Sequence, residues 1–208
     1  MCGSYQKHAQ SFLRKCCGLF AFLLFAGIGH AAPTNFVPVE LFGQTFIHDP
    51  STIIQDGERY YVFGTGPGIR AKSSPDLIHW TNGLSVFIRP PSWTKNYIYG
   101  FRGVFWAPDI TQVNGKFLLY YAASSWGSQV SAIGVAASPT LDPAATNYYW
   151  HDGGAVISST NDSAYNTIDP SVMLDTDGKL WLSFGSYWEG IFLTELNPQT
   201  GLRVATNS

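Results

Sequence analysis

Two carboxylates stand at matching places in this 208-residue sequence: Asp49 and Asp169, each followed by proline and then serine. A glycine-containing turn follows each at a similar interval, and another follows Ala107-Pro108-Asp109-Ile110. If these stretches are equivalent positions of a repeat, Asp49 and Asp169 face one shared cleft. Two carboxylates in one pocket can divide acid–base work. An ionised one activates water, and the charge of another keeps a neighbouring acid protonated. Hydrolysis of a glycosidic bond calls for such a set. Asp before Pro is also a common turn initiator whose side chain caps a backbone amide, so a single pair would favour that plainer role. Recurrence at matching positions shifts the balance toward chemistry.

The elements that must hold these residues are short. Apolar runs at Arg59 to Phe63, Phe117 to Ala122 and Leu180 to Phe184 follow Asp56-Gly57, Asn114-Gly115 and Asp177-Gly178, dipeptides that supply the positive φ of tight hairpins. No long segment of helical period competes with them. Pro50 and Pro108 are 58 residues apart, and Pro108 and Pro170 are 62 apart. That interval suits a four-stranded propeller blade with its connections. Ile69 to Lys72 and Ile78 to Trp80 supply third and fourth strands of the first unit, around Ser73-Ser74-Pro75-Asp76. The expected fold is therefore all-β, a propeller with about three blades in this chain. A blade cannot bury both faces alone, so sequence beyond this chain is expected to close the ring. Three blades would leave sheet faces uncovered and prone to aggregation.

Residues 1–31 differ in kind from residues 32–208. Lys7, Arg14 and Lys15 precede an apolar run of 12 residues, Gly18 to Gly29, and then the small-x-small triplet Gly29-His30-Ala31. That is the layout of a secretory signal peptide, too short to span a bilayer as a helix. Export, to the periplasm or beyond the cell, is the expectation, with no membrane attachment after cleavage. All three cysteines, Cys2, Cys16 and Cys17, lie in this leader, so the exported domain has no disulfide framework and no cysteine metal site. A net charge of −2 and 12% charged residues give no footprint for nucleic acid or anionic membranes. The many aromatic residues suit the apolar faces of sugar rings, and equally the packing of β-structure.

Several motifs together carry a family resemblance over about Phe46 to Leu202: His48-Asp49-Pro50-Ser51, Ser74-Pro75-Asp76-Leu77-Ile78-His79-Trp80, Phe105-Trp106-Ala107-Pro108-Asp109-Ile110, Trp126-Gly127-Ser128 through Gly134, Asn166-Thr167-Ile168-Asp169-Pro170-Ser171, and Gly185-Ser186-Tyr187-Trp188. In these the chain resembles the arabinanases of glycoside hydrolase family 43, which are five-bladed β-propellers. The resemblance implies inverting hydrolysis of internal α-1,5 bonds in arabinan, by a protein that is monomeric when complete. Asp49 falls on the family's general base and Asp169 on the carboxylate that raises the acid's pKa. The general acid is a glutamate of the next blade, which this chain is expected to lack. Glu189 belongs instead to a substrate-contact loop. Trp106 would stack under an arabinose ring. His48, Gly127, Asn166, Thr167, Ile168, Ser186, Tyr187 and Trp188 would line the cleft, with Thr167 standing where the family usually has alanine. No cofactor is implied. Family members often carry a hydrated calcium-like ion on the propeller axis, but its histidine would lie outside this chain, so no complete metal site is expected. Two other readings remain at this stage: an inactive or carbohydrate-binding partial propeller, and a related arabinofuranosidase or xylosidase.

Overall fold

The computed structural model describes residues 37–205; the leader and its signal-peptide assignment lie outside them. Three sheets follow one another along the chain. The first contains β1 (Phe42–Gly43), β2 (Ile54–Asp56), β3 (Arg59–Gly64), β5 (Arg70–Ser74) and β6 (His79–Asn82), in the order β1-β6-β5-β3-β2. The second is built from β7 (Val104–Val113), β8 (Lys116–Ala123), β9 (Ser131–Ser138) and β10 (His151–Ser159). The short strand β4 (Gly66–Pro67) of the first repeat joins it by pairing with β7. β11 (Ser171–Leu174), β12 (Leu180–Phe184) and β13 (Phe192–Leu196) make the third. One short helix, α1 (Thr94–Tyr97), interrupts this all-β architecture. The three sheets are the three blades that the repeat predicts.

The middle blade explains the uninterrupted apolar run of β8. Side chains alternate across a strand, and here both faces are covered. Phe117, Leu119, Tyr121 and Ala123 join a core with Tyr61, Phe63 and Ile69 of the first repeat. Leu118, Tyr120 and Ala122 join a second core with Leu180, Leu182 and Leu196 of the third. Tyr120 also donates its hydroxyl to the Gly201 carbonyl at 2.9 Å, so its polar end is satisfied inside the core. The third blade has only one such covered face. Met173, Trp181 and Glu195 pair across its strands on the other face, where Met173 and Leu193 are 58% and 63% exposed.

The hairpins follow their turn chemistry in all three cases, with a positive-φ glycine in each. Asn114 and Gly115 both take positive φ, 51° and 72°, which a two-residue type I′ turn requires. Gly57 alone does so before β3, with φ 57°. The Asp177-Gly178 hairpin is tight as well: the Asp175 amide donates to the Lys179 carbonyl at 2.9 Å, the Gly178 amide donates to the Asp175 carbonyl at 3.1 Å, and Gly178 takes φ 78°, so the loop is residues 176–178. Asp175 organises it, accepting the amides of Asp177 and Lys179 and the Trp181 indole N–H at 2.8–2.9 Å. Those bonds, the Trp181 one foremost, hold the Asp175 carboxyl below its usual range. In the first blade the expected turn at residues 73–76 begins later, because Ser73 and Ser74 pair with Tyr61 and Tyr60 as the end of β5. Asp76 then caps the turn through the amides of Ile78 and His79.

Candidate functional site

The backbone adopts an unfavourable conformation at the same place in all three repeats. Asp49, Ala107 and Asp169 each precede a proline, and their φ values are 46°, 33° and 53°. A left-handed conformation costs a residue with a side chain roughly 1–2 kcal/mol, and the following proline narrows the choice further. Strain of this kind persists only where the surroundings over-determine it, and it gathers at sites of function. In the middle repeat it coincides with a β-bulge. Trp106 pairs with Ala122 and Asp109 with Tyr120, which leaves Ala107 and Pro108 opposite Tyr121 alone. A bulge re-aims the side chains beside it, and Trp106 lies on the wall of a cleft of about 380 Å³.

Asp49 and Asp169 share that cleft. Asp49 is held through one oxygen. Its Oδ2 accepts the Thr65 hydroxyl at 2.6 Å and lies 2.9 Å from His48 Nδ1. Thr65 in turn accepts the Ala107 amide at 2.8 Å, so one hydroxyl joins the first Asp-Pro position to the strained alanine of the second. Among the described residues, Asp49 Oδ1 has no hydrogen-bond partner. Asp169 keeps an open face to solvent, yet the walls desolvate its carboxyl enough to push its pKa up, and the negative charge of Asp49 adds to the rise.

Aromatic side chains form the walls. Trp106 and Trp126 pack in a tilted arrangement with centroids 5.2 Å apart and planes at 43°, and Trp126 is 91% exposed. The loop of Ser186, Tyr187 and Trp188 lines the same cleft. Gly185 lets this loop leave β12: its φ is 119°, and a Cβ there would stand 2.3 Å from the Gly190 carbonyl. Tyr187 and Trp188 then take positive φ, 60° and 44°. Hydrogen bonds donated by the Gly185 amide to the Ile168 carbonyl, 2.9 Å, and by the Glu189 amide to that of Ala164, 3.3 Å, fasten the loop to the segment carrying Asn166. Asn166 is itself fixed by the Ser131 hydroxyl at 2.8 Å.

Comparison with known proteins places this geometry. The family model for glycosyl hydrolases family 43 matches residues 41–207. The chain belongs to that family. It is 45% identical over 158 residues to the extracellular endo-α-(1→5)-L-arabinanase 1 of Bacillus subtilis (strain 168), covering 74% of this chain and 47% of that protein. It is 43% identical over 155 residues to the extracellular exo-α-(1→5)-L-arabinofuranosidase of Cellvibrio japonicus (strain Ueda107), covering 74% and 44%. Among solved structures, the Cellvibrio cellulosa α-L-arabinanase complexed with arabinohexaose superposes with a TM-score of 0.73 at 41% identity, over 76% of this chain and 50% of that one. The chain thus spans about half the length of the curated relatives it matches.

Within this family 43 domain, most residues singled out by sequence converge on the cleft. Asp49, Asp169, His48, Trp106, Gly127, Asn166, Ile168, Ser186, Tyr187 and Trp188 all line it. Thr167 does not. It is fully buried, its amide donates to Ser159 Oγ and its hydroxyl lies 3.1 Å from the same atom, so its role is to anchor the wall from behind. Sequence reasoning passed over Thr65, Ser125, Trp126 and Ser128 as lining residues. Trp126 and Ser128 were visible as part of a motif, whereas nothing near Thr65 in sequence marks it. Glu189 follows Trp188 but is not among the residues lining the cleft. No group of three His, Cys, Asp or Glu side chains placed to hold a metal ion occurs among the described residues. Nor is any helix among them long and apolar enough to cross a membrane.

Proposed function

We propose that this domain serves an inverting glycoside hydrolase that cuts internal α-1,5 bonds of linear arabinan. The observation that carries this reading is the meeting of Asp49 and Asp169 in one aromatic-walled cleft of a family 43 chain. Asp49 acts as general base. Thr65 and His48 fix its Oδ2, which leaves Oδ1 to take a proton from the attacking water. Asp169 modulates the acid: its charge disfavours ionisation of a neighbouring carboxyl and keeps it protonated near neutral pH. The acid itself is assigned, by resemblance to the family, to a glutamate of a following blade. In an inverting pair it stands about 6.5–9.5 Å from the base, with the water between them.

The substrate reading is supported by the names of the two relatives, an endo-α-(1→5)-L-arabinanase and an exo-α-(1→5)-L-arabinofuranosidase, and by the arabinohexaose in the Cellvibrio neighbour. Trp106 supplies the platform for an arabinose ring, and the polar groups of Asn166 and Ser186 fix its hydroxyls. The extracellular relatives support export of this protein as well. Cleavage from chain ends is a second reading, favoured by the exo-acting Cellvibrio relative.

The test is reducing-end release from debranched arabinan by the natural polypeptide that carries this sequence, with Asp49→Asn as control. Release that falls by about 10³-fold or more in the variant, with a spread of oligomer lengths, is the expected result. Undiminished release in the variant would remove Asp49 from the role of base. A single short product would turn the reading from internal to terminal cleavage.

A further inference from the structure

Asp109 occupies the same repeat position as Ser51 and Ser171, two residues after the strained residue of each repeat. The serine of the first repeat stays within its own blade: Ser51 Oγ donates to the Thr52 carbonyl at 2.8 Å and accepts the Phe63 amide at 3.0 Å. The middle repeat departs from this pattern. Asp109 Oδ1 accepts the amide of Thr52 at 3.0 Å, and its Oδ2 accepts the amide of Val172 at 2.8 Å. One donor belongs to the first repeat and the other to the third. Asp109 is 7% exposed, so both bonds form where water competes little. An ionised carboxylate is the side chain suited to this task, since it accepts from two sides and donates nothing, and its charge roughly doubles the strength of each bond.

The two amides are informative by position. Thr52 lies three residues after Asp49, and Val172 three residues after Asp169. Asp109 therefore grips the inner edges of both flanking blades at the same sequence separation, three residues, from each cleft carboxylate. Asp49, Asp109 and Asp169 are the titratable residues lining the axial cavity of about 300 Å³ between these edges. We infer that Asp109 is a positioning residue, whose bridge between the Thr52 and Val172 amides sets the separation of Asp49 and Asp169 across the propeller axis. The inference rests on the proposed function only in treating those two aspartates as a working pair. Asp109 touches no substrate in this account.

The experiment is a carboxyl ¹³C NMR titration of the full chain, in wild type and in Asp109→Asn, each with and without Asp49→Asn. Removing the Asp49 charge lowers the Asp169 midpoint in wild type, and the size of that lowering reports how close the two groups stand. In Asp109→Asn the side-chain NH₂ faces an amide donor and one bridge is lost. The lowering caused by Asp49→Asn is then expected to shrink to less than half its wild-type size. A thermal midpoint that drops while the lowering stays unchanged would make Asp109 merely structural and overturn the inference. If Asp109→Asn does not fold, the wild-type chain still decides the matter. The amides of Thr52 and Val172 should each show a scalar coupling across the hydrogen bond to the Asp109 carboxyl carbon, and amides without that coupling would overturn the bridge. None of these readouts uses a sugar, so a failure of the hydrolase reading would show separately as absent hydrolysis with the coupling intact.

Discussion

Thr65 and Asp49 are joined by a 2.6 Å hydrogen bond in which the threonine hydroxyl donates to Oδ2, and the same threonine oxygen accepts the amide of Ala107. The hydroxyl thus gives its proton to the proposed base and its lone pair to a strained backbone. Thr65→Val keeps the shape and removes both bonds. It should lower stability by about 1–3 kcal/mol, since the Ala107 amide loses its acceptor. Arabinan hydrolysis should fall by roughly 10–100-fold, mostly in kcat, because the carboxylate loses its orientation. Thr65→Ser should retain most of both. Urea denaturation and steady-state kinetics read the two effects, and a serine variant as poor as valine would contradict the hydroxyl's role.

Asp169 gives a pH prediction with a definite sign. Burial first, and the Asp49 charge second, raise its folded pKa above the unfolded value. The folded chain therefore holds this proton more tightly than the unfolded chain, and stability falls as pH rises through the interval between the two values. The contribution is full below the ordinary carboxylate pKa and lost above the raised one. Asp169→Asn should consequently be more stable than wild type near neutral pH, with the advantage shrinking to zero in acid. Thermal midpoints of both proteins across pH 3–7 test this. An advantage that grows in acid would mean that the shift has the opposite sign.

What could be read from sequence was what depends on neighbours in the chain. Asn114-Gly115 forms its turn from local φ preference, and the β8 run alternates between two cores as its unbroken apolar pattern suggests. The Asp-Pro recurrence found both cleft aspartates for the same reason. Thr65 and the Asp109 bridge were not legible, because each is defined by partners that only the closed arrangement brings near: 42 residues for Thr65 to Ala107, and 57 and 63 for Asp109 to its two amides. Thr167 was placed in the cleft with its neighbours. A motif does not say which of its side chains turn outward, and Ile168 reaches the cleft while Thr167 meets Ser159. The Asp177-Gly178 turn takes the positive φ at its glycine that the dipeptide suggests, while the capping bonds of Asp175 that hold its three-residue loop were not read from the sequence.

The exposed face of the third blade makes a prediction about association. Met173 and Leu193 stand in the open on a sheet whose other face is packed. Apolar side chains on an unpartnered sheet drive self-association. The purified 208-residue chain should show concentration-dependent assembly by light scattering, and Met173→Lys with Leu193→Lys should suppress it. Each substitution replaces an exposed side chain, so the fold should tolerate both. Assembly unchanged in the double variant would place the contact elsewhere.

Trp126 separates binding from stability. It is 91% exposed and packs against Trp106 at the cleft wall, so the fold gains little from it while a sugar chain in the cleft would lie against it. Trp126→Ala should therefore change the thermal midpoint by a degree or two at most, about what a surface substitution does. Affinity for a linear arabino-oligosaccharide, measured by calorimetry on the same chain, should weaken by roughly tenfold, the effect of losing about 1.4 kcal/mol of aromatic contact. Trp106→Ala should weaken binding too and also destabilise the chain, because Trp106 packs against the core shared by the second and third blades. Equal stability losses in the two variants would mean that Trp126 is a packing residue despite its exposure, and unchanged affinity in Trp126→Ala would take the sugar chain's path away from it.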